Sequence, residues 1–205
     1  LSARANTPHD AGSRALSFLP LSHLAGQGWT IWFLMAFGGQ VWFSRGLPYL
    51  VQDLQRARPT TFFAPPRVYE GWFREFSVSG SVPRSIAEHL GLDCCTDLIC
   101  AAAPVDSRIL SWCHEIGLPV REVYGLSEVP ITTSSALSPY KLGSVGRAEF
   151  GLSLSAEGEI LIKGPILFRK YWNRQAETDA AFTYDGWFRT GDLGYIDEDG
   201  YVFIS

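Results

Sequence analysis

The chain has 205 residues and, with 17 Lys plus Arg against 21 Asp plus Glu, a formal net charge of −4. A mildly acidic chain with no Lys/Arg stripe argues against an electrostatic nucleic-acid binder, and the lack of a basic amphipathic face argues against an anionic-membrane binder. Hydrophobic residues at 46% and charged residues at 19%, with 7 Trp, 13 Phe and 8 Tyr, supply ample core material and are not the composition of a disordered chain.

In chain order, residues 15–19 (ALSFL) predict a buried strand, and a loop over 20–28 leads into a helix over 29–37. VWFS (41–44) is the next strand. Residues 47–58 carry Leu47, Leu50, Val51 and Leu54 at the 3.6 spacing of an amphipathic helix, which Pro59 stops. TTFFA (60–64) is β-branched and aromatic, and Pro65-Pro66 ends it before a helix over 68–76. A helix over 86–92, a strand DLICA (97–101), a helix over 107–116 and a strand VREVY (120–124) follow. This rhythm predicts an α/β fold, a parallel sheet with helices on its faces. From Gly143 on, short β-rich runs at 152–155, 159–163, 195–197 and 201–204 predict a smaller, mostly β subdomain. The expected organisation is therefore an α/β portion over 1–139 and a β-rich portion over 140–205.

Three further readings concern context. Residue 1 is Leu, the only methionine is Met35, and the chain stops at Ser205 directly after a strand-like run, so we expect an internal piece of a longer protein. Cys94, Cys95, Cys100 and Cys113 lack CxxC spacing and two are adjacent, which points to buried or idle thiols in a reducing compartment. The expected location is cytoplasmic, with peripheral membrane association of the longer protein left open. The uncharged run 24–43 approaches the length of a membrane helix, but Gly26, Gly28, Gly38 and Gly39 divide it, and a buried helix followed by a short strand accounts better for the punctuation.

In open α/β sheets ligands sit outside the carboxyl ends of strands, so the loops after strands are where chemistry is sought. Ala101-Ala102-Ala103-Pro104 follows DLIC; its small residues let a flat ring approach the backbone, or simply pack a strand against a helix. Tyr124-Gly125-Leu126-Ser127-Glu128 offers an aromatic platform, a hinge, a hydroxyl and a carboxylate able to hold a metal ion, or else a helix cap. In Gly186 to Gly194 (GWFRTGDLG), Asp192 is suited to accept both hydroxyls of a ribose, or is a turn aspartate. His23, in PLSH after the first strand, is a base, a ligand or a structural histidine.

In this order and spacing the four segments resemble the acyl-adenylating superfamily of acyl-CoA synthetases, peptide-synthetase adenylation domains and firefly luciferase. The matching stretches are LPLSH (19–23), AAAP (101–104), YGLSE (124–128), GEILIKGP (158–165), Tyr171-Trp172 and GWFRTGDLGYIDEDGYVFIS (186–205). The resemblance runs from about residue 15 to the end, and LPLSH and YGLSE look most like long-chain fatty acyl-CoA synthetases. No acidic residue lies between His23 and Asp53 to pair with the ammonium of an amino acid, while Trp29, Trp32, Phe33, Leu34 and Phe37 could wall an apolar tunnel or be core.

The resemblance implies the large-domain fold of that superfamily and a two-step reaction: a fatty acid carboxylate attacks the α-phosphate of ATP to give an acyl-adenylate and pyrophosphate, and coenzyme A then displaces AMP. It implies that Ala102, Ala103 and Pro104 line the adenine, Tyr124 and Gly125 lie against it, and Ser127 contacts the α-phosphate. Glu128 would bind Mg²⁺, Asp192 would take the ribose hydroxyls, and His23 would lie near the acyl carboxylate. The family's phosphate loop, its hinge, a ribose-contacting Arg and the C-terminal domain with its Lys are not in this sequence, and the segment 151–158 is about two residues shorter than the usual hairpin. The competing readings are a non-catalytic truncated paralogue or interaction module, and a piece of an enzyme that activates aryl or amino acids. With those parts absent, the 205-residue chain alone is expected not to catalyse adenylation. Fatty-acid-dependent pyrophosphate exchange by the purified chain would overturn that expectation.

Overall fold

The computed structural model describes residues 10–78, 85–134 and 141–205, with the side chains of residues 29, 30, 33, 34, 78 and 134 outside that description. Two compact units result, Leu1–Arg121 and Glu122–Ser205. The expected boundary at 139/140 lies outside the described residues.

The first unit is built on a five-stranded sheet of β1 (Arg14–Ser17), β2 (Gln40–Phe43), β3 (Thr61–Ala64), β4 (Asp97–Cys100) and β5 (Val120–Glu122), in the order β2-β1-β3-β4-β5. β1 pairs in parallel with β2 and β3, and β3 in parallel with β4, from Thr61 opposite Asp97 to Ala64 opposite Cys100. Every residue of β3 and β4 is buried, the signature of central strands covered on both faces, whereas the edge strand β2 is mostly exposed.

The helices that cover the sheet start and stop at recognisable residues. α1 (Leu24–Gln27) begins at His23, whose Nδ1 accepts the Ala25 N–H at 3.1 Å, and continues through a π turn (Gly28–Trp32) into α2 (Phe33–Phe37). The expected loop over 20–28 is thus corrected: with a capping acceptor at His23, the helix starts five residues earlier than hydrophobic periodicity alone suggests. A 3₁₀ turn at Leu47–Tyr49 leads into α3 (Leu50–Ala57), which ends where Arg58 adopts a left-handed backbone of φ 41°. Arg14 on β1 donates from Nε and Nη2 to the Arg58 carbonyl, supplying a cation to a helix C-terminus that lacks intrahelical donors. α4 (Pro66–Val78) starts at a proline; α5 (Ile86–Leu90) and α6 (Ser107–Glu115) are capped by Ser85 and Asp106, each accepting a backbone N–H.

The apolar faces of α3, α4, α5 and α6 meet the sheet in one core that includes Leu54, Phe62, Tyr69, Trp72, Leu90, Leu98 and Leu110. At roughly 1.5–3 kcal/mol for each fully buried large apolar side chain, this core holds the first unit together. Trp32 and Met35 are exposed, so these two members of the apolar helix do not belong to that core. The side chains of Trp29, Phe33 and Leu34 lie outside the described residues. Among the described residues no helix is long and apolar enough to cross a membrane.

The second unit carries a four-stranded antiparallel meander of β8 (Gly151–Leu154), β9 (Glu159–Lys163), β10 (Phe188–Ile196) and β11 (Val202–Ile204). Beside it stand the short ribbon β6 (Thr133–Ser134) and β7 (Arg147–Ala148) and the helix α7 (Gln175–Ala180), none of which hydrophobic patterning predicted. Ser155 closes the β8–β9 turn by accepting the N–H groups of Glu157 and Glu159. Val129, Val145, Ile160, Ile162 and Val202 form its core.

One buried carboxylate in the first unit is linked to pH. Asp53 on α3 accepts from the Arg45 backbone N–H at 2.8 Å, the Arg45 side chain and the Ser44 hydroxyl, and these bonds hold its carboxyl below the usual carboxylate range. A depressed folded pKa contributes stability that is present above the unfolded value of about 3.9 and is lost as pH falls through the folded value. Urea midpoints measured from pH 6 down to pH 2.5 should therefore fall less steeply for Asp53→Asn than for the parent chain.

Candidate functional site

β10 is where the second unit departs from regular geometry. Arg189 pairs with Leu161 and Leu193 with Glu159, so four steps along β10 oppose only two along β9. The excess is a bulge over Thr190, Gly191 and Asp192, with Gly191 at φ 77°, a conformation that glycine adopts without strain. Three bonds shape it: the Thr190 hydroxyl donates to the Ile160 carbonyl at 2.8 Å, Gly191 N–H donates to Glu159 Oε1 at 3.1 Å, and Asp192 N–H donates to Thr190 Oγ1 at 3.1 Å. Glu159 Oε2 also pairs with Arg189 at 3.1 Å. Bulges re-aim side chains, and this one holds Asp192 half-buried.

The segment after β5 is folded back on itself. Leu126 and Val129 exchange reciprocal backbone bonds of 3.0 and 3.2 Å, which puts Ser127 and Glu128 at the tip of a tight loop, Ser127 exposed and Glu128 half-buried. Gly125 is required: a Cβ there would lie 2.1 Å from the Pro130 carbonyl oxygen. Tyr124, at the base of the loop, donates its hydroxyl to Asp192 Oδ2 at 2.6 Å. Burial first, and the Asp192 bond second, push the phenol pKa up, so Tyr124 is a donor throughout the physiological range. Two of the residues singled out in the sequence are thereby brought together.

Glu128 has a different partner. Its Oε1 accepts the Tyr171 hydroxyl at 2.7 Å, and its backbone carbonyl accepts the Phe168 N–H at 2.8 Å. The Glu128 carboxylate holds the Tyr171 phenol pKa up at about 12. Tyr171 is itself fixed, by its N–H to Thr178 Oγ1 at 3.0 Å and by the Phe168 ring 4.7 Å away, which in turn packs on Phe182 and Phe188. Among the described residues, neither Glu128 nor Asp192 forms an ion pair, whereas Asp53, Asp93, Asp97, Asp106 and Asp197 pair with Arg45, Arg58, Arg121, Arg108 and Lys141. A phenol orients a carboxylate without cancelling its charge, and leaves it able to attract a cation or accept from a diol.

In the first unit, the loop after β4 is exposed at Ala102, Ala103 and Pro104, and Ala102 takes a left-handed φ of 75°. A non-glycine residue in that region costs of order 1–3 kcal/mol and persists only where surrounding structure imposes it. His23 is exposed as the α1 cap; with Nδ1 accepting a backbone N–H, a neutral ring carries its proton on Nε2 and faces a partner as a donor. That arrangement suits holding a carboxylate rather than removing a proton.

Tyr171, Glu159 and Thr190 were not among the residues singled out for chemistry, although all three lie in motifs that were. Tyr171 is 43 residues from Glu128, and nothing local in the sequence couples the two. Among the described residues, no group of three or more His, Cys, Asp or Glu could hold a metal ion. A single carboxylate suits Mg²⁺ only in the mode where the remaining ligands are substrate phosphates and waters. Glu128, with Oε1 oriented by Tyr171, fits that donor set.

The sequence profile of the family described as AMP-binding enzyme matches residues 2–172. The chain is 30% identical, over 93% of its length, to a long-chain-fatty-acid–CoA ligase ACSBG2 of Gallus gallus, and 30% identical, over 95%, to a long-chain-fatty-acid–CoA ligase FadD15 of Mycobacterium bovis; it covers 32% and 39% of those proteins. The chain thus spans about a third of the curated relatives it matches. A solved malonyl-CoA ligase, a ternary product complex with methylmalonyl-CoA and AMP bound, superposes with a TM-score of 0.81 at 27% identity, covering 98% of this chain and 45% of that one. At the tight loop, Gly125→Ala forces backbone apart and should destabilise the second unit by about 1–3 kcal/mol; chemical denaturation monitored by near-UV circular dichroism measures it.

Proposed function

The chain belongs to the AMP-binding enzyme family, and from that membership we propose that it is the nucleotide-holding part of an ATP-dependent acyl-CoA synthetase of fatty acids. The hydrogen bond from Tyr124 to Asp192 is the observation that most supports this reading. It occupies one lone pair of Oδ2 and leaves the rest of an ionised carboxylate to accept from two vicinal hydroxyls, as a ribose presents them. It also holds the Tyr124 ring beside that carboxylate, where a base attached to the same ribose would stack on it.

On this reading Ser127, exposed at the loop tip, contacts the α-phosphate, and Gly125 gives the loop its close turn. Glu128 would hold Mg²⁺, which when bound neutralises charge on the phosphates. In the first unit the same reading assigns Ala102, Ala103 and Pro104 to the adenine, supported by the imposed backbone at Ala102. His23, a donor through Nε2, is assigned to the acyl carboxylate. Adenylation then draws on electrostatic stabilisation and positioning, with no covalent nucleophile on the protein.

Fatty acid is the proposed substrate because two long-chain ligases are among the similar proteins and because the sequence between His23 and Asp53 has no acidic partner for an ammonium group. Coenzyme A is the proposed acceptor. A carboxylate panel on the longer polypeptide that carries this chain tests the choice; preference for malonate, aryl or amino acids would overturn it. On the chain itself, Asp192→Ala should weaken AMP binding by roughly tenfold to a hundredfold, the worth of hydrogen bonds to a charged acceptor. Calorimetric titration measures this, and an unchanged affinity would remove Asp192 from the ribose.

A further inference from the structure

We propose that Tyr171 is a positioning residue for the Glu128 carboxylate: its hydroxyl fixes Oε1 and so presents Oε2 to a divalent cation carried by the phosphates of the nucleotide. The inference rests on the nucleotide-binding reading above and adds to it a residue and a dependence that the reading does not contain.

The geometry carries it in three steps. First, Glu128 stands at the tip of a two-residue loop, where its flexible side chain would otherwise sample several rotamers; the 2.7 Å bond from Tyr171 selects one. Second, Tyr171 is itself immobilised by contacts other than the one to Glu128. Its N–H is held by Thr178 Oγ1, and that hydroxyl donates to the Arg174 carbonyl at 2.7 Å at the start of α7. Its ring packs on Phe168, whose own N–H donates to the Glu128 carbonyl, so backbone and side chain of Glu128 are referred to the same short segment. Third, the donor is a neutral phenol. Oε1 receives one proton-bearing contact, the carboxylate keeps its full charge, and among the described residues no second side chain binds it.

Hydrogen-bonded carboxylates are the usual form of metal-ligating carboxylates, and losing such a partner typically costs roughly 10–100-fold in metal affinity. A purely architectural tyrosine would behave differently, since its loss would disturb nucleotide binding with or without metal.

The test is a set of calorimetric titrations on the 205-residue chain, with ATP in the presence of Mn²⁺ or of a chelator, and with AMP in chelator alone. The variants are Tyr171→Phe, which keeps the ring and its packing, Glu128→Gln, and the double variant. Expected are a metal-dependent gain in ATP affinity for the parent chain, loss of that gain in Glu128→Gln, and a gain reduced roughly tenfold in Tyr171→Phe with AMP affinity unchanged. In the Glu128→Gln background Tyr171→Phe should have no further effect, because its influence passes through that carboxylate. A full metal-dependent gain in Tyr171→Phe, or an equal fall in its AMP affinity, overturns the positioning role and leaves the nucleotide reading standing. AMP binding by the parent chain with no metal-dependent gain for ATP overturns the metal role of Glu128 and the inference with it. No nucleotide binding by the parent chain at all overturns the functional reading itself.

Discussion

Within the second unit, the hydrogen bond from Tyr124 to Asp192 ties the base of the tight loop to the bulge in β10, across 68 residues of sequence. Its 2.6 Å length and charged acceptor put it among the stronger side-chain bonds. For it to form, Gly125 must let the Tyr124 loop turn against Pro130, and β10 must carry extra residues against β9. Glu159 and Thr190 hold that irregularity in shape, so Asp192 is ordered by the fold itself.

Two sets of carboxylates in this chain contrast in their partners. Two that knit the architecture, Asp53 on α3 and Asp97 on β4, take arginine partners that cancel their charge. Asp192 and Glu128 take tyrosine hydroxyls at 2.6 and 2.7 Å instead. A neutral donor restricts motion as well as a guanidinium does, but leaves a net negative charge in a partly shielded place, where a cation or a hydroxyl donor interacts more strongly than it would in bulk water.

The first unit adds strain of a different kind. Ala102 holds a left-handed backbone two residues after β4, a strand buried along its whole length whose Ile99 carbonyl accepts the Tyr69 hydroxyl at 3.0 Å. A rigid strand ending in an imposed turn presents backbone edges and small side chains, not functional groups.

Read as sequence, the chain determined a good deal. The alternation of TTFFA, DLIC and VREVY with amphipathic stretches was enough for a parallel sheet, because strands separated by helices are joined by crossovers, and the motif order was enough for the family. The start of α1 was missed because His23 caps through a ring nitrogen that periodicity does not register, and α7 was missed because its one buried residue, Thr178, leaves no apolar stripe. Which motif residues touch was decided only by the tertiary structure. Tyr124 meets Asp192 through a bulge whose offset depends on the register of β9, and Glu128 meets Tyr171 through an aromatic cluster drawn from three separate segments. Local patterning records the period of a strand or helix; a hydrogen bond between distant side chains depends on where whole elements stop, and that is set by packing.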